Sequence, residues 1–207
     1  MGDLLTPKYD TDFNLLRWAI GYGMNVDEAA FYLEKHLLFR RFHDLDNISK
    51  RPTNPILDEY FPIGLIGGTG ISEDNTLLVV ECAGRIDLDG IMKAVQSTDF
   101  MLHRMAFQEL VLAKLNAMEA ETGRIGSVIY IIDLDELKLH PSLISIVTGP
   151  YRILWASCYM NYPEWLDTVL VVNCPPFTSL LWRAISPLLP ERTRNKVRIC
   201  SSSSEAK

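Results

Sequence analysis

Three short apolar segments, separated by helical patterns, constrain the fold of this chain more than any other feature of its sequence. The segments are residues 76–82 (TLLVVEC), 127–133 (SVIYIID) and 168–173 (TVLVVN), and a last strand is predicted to begin at residue 197. The helical patterns are residues 87–95, 98–121 and 143–161. Strands that are apolar on both faces are typical of a parallel sheet covered by helices. The alternation therefore predicts an α/β fold with a mixed, mostly parallel sheet.

The chain before this pattern is predicted to be a small all-helical module. One helix begins near residue 10 and is ended by Gly21 and Gly23. A second helix begins after Asn25, with Glu28 placed for a capping box. Its predicted apolar stripe consists of Ala29, Phe31, Tyr32, Leu33, His36, Leu37 and Leu38.

The predicted domain boundaries follow from these patterns and from composition. The helical module is assigned to residues 1–50, and residues 47–55, which contain two prolines, are predicted to be a linker. The main domain is assigned to residues 56–200. The serine-rich end, residues 201–207, is predicted to be a disordered tail.

Charge and cysteine usage exclude several classes of protein. The formal net charge of -6 argues against nucleic acid as a partner. The four cysteines are widely scattered, which fits a reducing cytosol and disfavours a metal ribbon or redox motif. We find neither a secretory signal pattern nor an apolar run long enough to span a bilayer. The chain is therefore expected to be cytoplasmic.

The enzyme-like motifs are weak. The stretch GLIGGTG, residues 64–70, resembles a phosphate loop, but a turn and a strand follow it where a helix is needed. Asp133, Asp135 and Glu136 lack the spaced partners of a calcium loop. The four histidines, His36, His43, His103 and His140, are far apart, and no G-x-S-x-G elbow occurs. We therefore predict no catalytic residues, no metal and no cofactor. A phosphate-loop enzyme is a remote alternative.

Residues 177–189 predict a helix that is apolar almost all round, with Arg183 as the exception. A cluster of Arg192, Arg194, Lys196 and Arg198 follows it. Such a helix needs either a lipid beneath it or a membrane above it, and basic residues favour an anionic surface. Residues 1–6 also match the bare N-myristoylation pattern, although the acidic residue after Gly2 makes a poor site.

The block NYPEWLDTVLVVNCPPFTSLLWRAISPLLPERTRNKVRI, residues 161–199, resembles the signature of the CRAL-TRIO lipid-transfer family. In that family a Tyr-Pro-Glu turn leads into an apolar strand ending in Asn-x-Pro, and a helix and a Thr-x-x-Lys turn follow. The strand SVIYIIDLDEL, the helical segment RIDLDGIMKAVQSTDFMLHRMAFQEL and the N-terminal helices also resemble family segments. The likeness covers nearly the whole chain to Ile199. It is greatest to the animal branch that includes supernatant protein factor and tocopherol-associated protein.

The resemblance implies a sheet that floors an apolar pocket, helical walls and one mobile gate helix. It also implies non-enzymatic binding and intracellular transfer of a lipid or other small hydrophobic ligand. The pocket is predicted to be one continuous cavity lined by Val128, Tyr130, Ile132, Leu170, Val172, Phe177, Leu181 and Ile185. Head-group residues carried over from the family are Glu164, Thr193 and Lys196. The gate and membrane contacts are predicted at Phe177, Leu180, Leu181, Trp182, Arg183, Arg192, Arg194 and Arg198.

Departures from the family pattern bear on the ligand. Arg17 is retained, but later basic residues of the family's N-terminal run are replaced by Ile20, Tyr22 and Gly23, and Ser72 stands where a head-group acid falls. Val128 and Tyr130 replace the polar pair that binds choline, which disfavours phosphatidylcholine. Phosphatidylinositol and a neutral tocopherol-, sterol- or retinoid-like molecule both stay open.

The end of the chain also departs from the family, since CSSSSEAK stands where a last strand and closing helices are expected. This predicts a C-terminal truncation, which puts stable ligand binding in doubt. The alternative function is a protein-interaction or regulatory module without a stable ligand. The chain is expected to be a monomer that contacts membranes transiently.

Overall fold

A five-stranded mixed sheet forms the centre of the molecule. The computed structural model describes residues 2–68, 75–140, 143–149, 152 and 160–200. The strands are β1 (Ile63–Gly68), β2 (Thr76–Glu81), β3 (Ser127–Asp133), β4 (Leu166–Val172) and β5 (Val197–Ile199). They lie side by side in chain order, with β1 antiparallel to β2 and the other neighbours parallel. The predicted mixed, mostly parallel sheet is confirmed.

Helices precede the sheet and connect its strands. The α-helices are α1 (Asp12–Gly21), α2 (Val26–His43), α3 (Pro55–Tyr60), α4 (Leu88–Ala94), α5 (Ser97–Thr122), α6 (Leu143–Thr148), α7 (Thr178–Ile185) and α8 (Glu191–Asn195). Short 3-10 helices span Gly2–Leu4, Leu45–Lys50, Ala83–Arg85 and Ser186–Leu188. Most of the predicted helix after Thr148 and the tail from residue 201 lie outside the described residues.

Local sequence signals set the helix ends. The side chain of Thr11 accepts a hydrogen bond from the backbone N–H of Asn14, and that of Asn25 accepts one from Glu28, as the capping pattern predicts. Gly123 follows α5 with a φ of +65°, a left-handed conformation that favours glycine and ends the helix there.

Two features of the N-terminal helices differ from the prediction. Helical spacing predicts that Phe31 and Leu38 are buried in α2, but they are 53% and 52% exposed, while Arg40 is buried. The predicted linker is wrong in its first half, because Leu45–Lys50 forms a 3-10 helix that buries Leu45 and Ile48. Proline and polar residues marked this segment as irregular, but its two apolar side chains fasten it to the core.

The sheet has one covered face and one half-exposed face. Val79, Tyr130 and Val169 are partners in register on β2, β3 and β4, so their side chains share a face. That face shares one hydrophobic core with α5 and with buried side chains of the N-terminal helices, including Trp18 and Leu37. The opposite face carries residues of intermediate exposure, namely Leu78, Val80, Ile129, Ile131, Leu170 and Val172.

Buried ion pairs join the N-terminal helices to α5. Arg17 on α1 pairs with Glu119 and donates to the carbonyl of Gly126 at 2.6 Å. Arg40 on α2 pairs with Glu109 at 2.6 Å. Arg17 therefore fastens α1 to the domain rather than facing a ligand. The boundary between residues 1–50 and 56–200 stays a prediction, although the two parts share one core.

His36 is a buried neutral histidine between the two parts. Its Nδ1 lies 2.9 Å from the side-chain oxygen of Asn161, and its ring packs against Tyr9, Trp18 and Tyr162. Burial lowers the pKa of His36 to about 4 from its usual 6.5. The folded state therefore resists protonation at a pH where the unfolded chain accepts a proton.

We expect this histidine to give the stability a pH dependence. Above pH 6.5 it has no effect, and below that the free energy of unfolding falls, because only the unfolded state gains a proton. The loss between pH 6.5 and 5 is about 2 kcal/mol. Urea unfolding at several pH values measures it. The variant His36→Gln should lose this slope, and an unchanged slope would contradict the assignment.

Candidate functional site

An apolar cavity of about 190 Å³ lies between the covered sheet face and helix α7. The helix faces the cavity with Thr178, Leu181, Trp182 and Ile185, which recur at helical spacing. The other described residues of its wall are Glu81, Ala83, Ile132, Leu134, Val147, Arg152, Val169, Val171, Leu189, Thr193, Val197 and Ile199. Of the predicted lining residues, Ile132, Leu181 and Ile185 line this cavity.

The predicted contribution of β4 is wrong by one residue. Val169 and Val171 line the cavity, whereas Leu170 and Val172 point to the opposite face. In register, Tyr130 pairs with Val169 and Ile132 with Val171, and side chains alternate along a strand. A shift of one residue therefore moves every predicted side chain of this strand away from the cavity.

The single continuous cavity is also wrong in the described part of the chain. Val128 and Tyr130 line a second cavity of about 50 Å³ against α5. Its other lining residues are Val79, Arg104, Phe107, Gln108, Val111, Tyr162, Trp165 and Leu166. Phe177 is the half-buried residue that caps α7 and lines neither cavity.

A buried polar cluster lies between the two cavities. Glu81 lines the first cavity, while Arg104 and Tyr130 line the second. The Tyr130 hydroxyl donates to Glu81 Oε2, and Arg104 donates to the same oxygen at 3.3 Å and to the Tyr130 hydroxyl at 3.2 Å. Burial raises the pKa of Tyr130 well above its usual value, so the hydroxyl keeps its proton. Neither Glu81 nor Arg104 is among the predicted site residues. Glu81 is the one charged residue of β2, which was an available signal. Arg104 gave no such signal, because α5 carries several other charged residues.

Helix α7 is amphipathic rather than apolar all round. Ser179, Leu180 and Arg183 are exposed, whereas Leu181 is buried and Trp182 faces the cavity. Trp182, a predicted membrane contact, faces the cavity and not the outer side of the helix. Leu180 and Arg183 remain on its outer face.

Of the three predicted head-group residues, Glu164 and Lys196 form an ion pair and Thr193 lines the cavity. The ammonium group of Lys196 donates to Glu164 Oε2 at 3.3 Å and to the carbonyl of Leu166 at 2.6 Å. Thr193 lines the cavity, and its carbonyl accepts from the Lys196 backbone N–H at 3.1 Å. Lys196 therefore contacts both Glu164 and Thr193, while Glu164 and Lys196 line neither described cavity.

The basic residues after α7 have different roles. Arg192 donates to the carbonyls of Ile20 and Gly21 at the end of α1, at 2.9 and 3.0 Å, and lies 3.4 Å from Glu164. Arg192 therefore fastens α8 to the N-terminal helices, whereas the sequence predicts it as a membrane contact. Arg198 donates to the carbonyl of Asn195 at 2.7 Å, and Arg194 is exposed.

The enzyme-like motifs have structural roles where they are described. Residues 64–68 lie in β1, the next described element is another strand, and residues 69–74, with Ser72, lie outside the described residues. Asp133 accepts from Asn173 at 2.8 Å, and Arg85 pairs with Glu136 at 3.0 Å. Among the described residues, no group of three or more His, Cys, Asp or Glu side chains is placed to hold a metal ion. Within the same ranges, no helix has the length and apolar character to cross a bilayer.

Comparisons with known proteins bear on the family and the fold. The family model described as CRAL/TRIO domain matches residues 72–207. A CRAL-TRIO domain-containing protein of Caenorhabditis elegans is 36% identical over 98% of this chain and 50% of its own length. Protein ctg-1 of the same organism is 23% identical over 96% of this chain and 52% of its own length. Protein real-time of Aedes aegypti is 28% identical over 92% of this chain and 29% of its own length.

The chain thus spans about half the length of two of these relatives and less of the third. Among solved structures, the crystal structure of Sfh5 is similar in fold, with a TM-score of 0.78. The similarity covers 97% of this chain and 67% of that one, at 16% sequence identity. At this identity the likeness concerns the fold alone.

Proposed function

Because this chain belongs to the CRAL/TRIO domain family, we propose that it binds one lipid or other hydrophobic small molecule beneath helix α7 and carries it between membranes. The observation that carries the proposal is the cavity itself, whose described wall is apolar apart from a few polar side chains. Sites for hydrophobic ligands are concave, mostly apolar and marked by a few placed polar groups. The proposal assigns the chain no catalytic step.

A neutral ligand fits this wall better than a phosphoinositide does. Lys196, the family-derived head-group cation, is paired with Glu164 and lies outside the cavity wall. The cavity, at about 190 Å³, is also smaller than the roughly 300–1,000 Å³ of common ligand pockets. A lipid-sized ligand therefore requires α7 to move outward, which is consistent with a gate.

The test is ligand extraction followed by mass spectrometry. The purified chain is incubated with a total lipid extract, re-isolated and analysed. One bound neutral hydrophobic molecule per chain is the expected result. Phosphatidylinositol in its place would favour a head-group site at Glu164, Thr193 and Lys196. Folded protein that retains no hydrophobic ligand would contradict the proposal.

A second candidate function is a protein-docking module. The outer face of α2 favours it, because Phe31, Leu38 and Phe42 are exposed there at spacings of seven and four residues. Exposed apolar residues on one helix face are a common feature of protein contacts. A docking module need not retain a stoichiometric ligand, so the same extraction experiment separates the two functions.

We also propose that the protein is cytoplasmic and binds anionic membranes through the outer face of α7 and the adjoining helix α8. Leu180 and Arg183 are exposed on α7, and Arg194 is exposed on α8. Each basic residue near an anionic surface contributes about 1 kcal/mol, so Arg183→Gln with Arg194→Gln should weaken vesicle binding about thirtyfold. Sedimentation with phosphatidylserine-containing vesicles measures this.

The matched control is Arg41→Gln with Lys114→Gln, which removes the same charge at exposed positions on α2 and α5. It should bind vesicles as the unmodified chain does. Added salt should weaken the binding of both, because exposed charges are screened over about 10 Å at 0.1 M ionic strength. Equal loss in both variants would show a net-charge effect and contradict a surface at α7 and α8.

A further inference from the structure

The side of helix α2 that points directly away from the core is apolar. Phe31, Leu38 and Phe42 are 53%, 52% and 83% exposed, and they form what we call the α2 ridge. At about 100° per residue, these three positions lie within about 40° of one another around the helix. The buried residues Leu33 and Arg40 lie on the opposite side. The outer side of a surface helix is normally polar, so an apolar ridge there indicates a contact surface.

Charged side chains flank the α2 ridge in an order that is complementary to its own reverse. Glu34 and Arg41 are both exposed on one flank, about 10 Å apart along the helix axis. At a spacing of seven residues they do not pair within the helix, because such pairs form at spacings of three or four. An antiparallel copy of α2 presents the same flank in the opposite direction, so a glutamate of one copy meets an arginine of the other.

We propose that the α2 ridge binds the α2 ridge of a second copy of this chain, with the two helices antiparallel across a two-fold axis midway between Phe31 and Phe42. Phe31 of each copy then faces Phe42 of the other, and the two Leu38 side chains meet near the axis. Glu34 of each copy lies within about 3 Å, measured along the helix, of Arg41 of the other copy. A contact of this symmetry closes on itself, so it gives a dimer.

Lys35 is compatible with this arrangement, although it lies next to the α2 ridge. Its ammonium group lies 4.1 Å from the centre of the Phe31 ring, one turn towards the start of the helix. The ammonium groups of the two copies are therefore directed away from the two-fold axis and away from each other. In the dimer each ammonium group stays beside an aromatic pair of Phe31 and Phe42, where a cation is attracted to the ring face.

This inference rests on the second candidate function, in which the outer face of α2 docks a protein, and it identifies that protein as a second copy. The sequence predicts a monomer, whereas we expect a weak, reversible dimer, because a contact limited to one helix from each copy is small. Below about 1 µM the chain is then monomeric, so Arg41→Gln stays a valid control for vesicle binding at such concentrations.

Sedimentation velocity between about 5 and about 500 µM measures the association. The mean mass of the unmodified chain should rise with concentration from that of one chain towards that of two. Leu38→Glu should weaken the association at least about a hundredfold, because two leucines leave the contact and two charges enter it. The matched control is Leu110→Glu, which alters a leucine that is 47% exposed on α5. It should leave the association within about twofold of the unmodified chain.

Charge reversal tests the pairing across the two-fold axis. Glu34→Arg and Arg41→Glu should each weaken the association at least about fivefold, because like charges then meet at two symmetric positions. The double variant that carries both substitutions should regain the affinity of the unmodified chain. An equimolar mixture of the two single variants should regain it as well, since every Glu of one chain then meets an Arg of the other. A contact with a different surface of the chain does not give this rescue.

The other outcomes overturn the inference. Association that persists in Leu38→Glu, or that the mixture of single variants does not restore, would put the contact elsewhere. A chain that stays monomeric over the whole range leaves the second candidate function only for a different protein. If that monomer loses vesicle binding in Leu38→Glu, the α2 ridge contacts a membrane instead. The ligand-extraction experiment tests the carrier function separately, because no residue of the α2 ridge lines the described wall of the cavity.

Discussion

Replacing Glu109 by alanine should lower the free energy of unfolding by about 3–5 kcal/mol. The Glu109 carboxylate is 3% exposed and accepts hydrogen bonds from Arg40 at 2.6 and 3.0 Å, Lys8 at 3.0 Å and the Tyr162 hydroxyl at 2.7 Å. Burial acts to raise the pKa of Glu109, but the hydrogen bonds and charge of Arg40 outweigh it and hold the pKa below its usual value. Removing the carboxylate leaves the buried guanidinium of Arg40 with one fewer anionic partner, and that is the main cost.

Urea unfolding at pH 7 measures the loss. The matched control is Glu121→Ala, an exposed glutamate on the same helix, which should change stability by no more than about 0.5 kcal/mol. The double variant Arg40→Met with Glu109→Leu should recover most of the lost stability, because it removes both charges. A loss below about 1 kcal/mol in Glu109→Ala would show that the N-terminal network, formed by Glu109 with Arg40, Lys8 and Tyr162, does not hold the N-terminal helices on α5.

The N-terminal network shows where sequence patterns fail for helices. Helical spacing identified Ala29, Leu33 and Leu37 as buried, and they are. The same spacing wrongly predicts that Leu38 is buried, and it does not predict the burial of Arg40, because a charged residue in a periodic pattern is assumed to be exposed. The partner that makes Arg40 stable in the core is Glu109, which is 69 residues away in the sequence. A contact of that range leaves no local trace.

The cavity shows the corresponding failure for strands. The alternation of elements was sufficient to predict the sheet, and a helix lies where the resemblance predicts the gate. In β4, however, both faces are apolar, so the two-residue period leaves the choice between Val171 and Val172 undecided. Pairing with β3 decides it, and that pairing includes an irregularity between Val128 and Ile129. Sequence alone does not determine such a register.

The face of β4 that lines the cavity determines which substitution should block ligand binding. Replacing Val171 by tryptophan should reduce binding of the apolar fluorophore diphenylhexatriene at least tenfold, because the indole occupies space in a cavity of only about 190 Å³. Overpacking costs typically 1–3 kcal/mol of stability, so the variant is expected to fold at 25 °C. Fluorophore titration measures binding, and mass spectrometry of extracted ligand should show the same loss.

The neighbouring substitution Val172→Trp is the matched control, since it adds the same side chain one residue later on the opposite, half-exposed face. It should leave fluorophore binding within about twofold of the unmodified chain, because side chains alternate along a strand and the indole points away from the cavity. The reverse result, with binding lost in Val172→Trp and kept in Val171→Trp, would put the ligand on the other side of the sheet. That would contradict both the cavity assignment and the role of α7 as its gate.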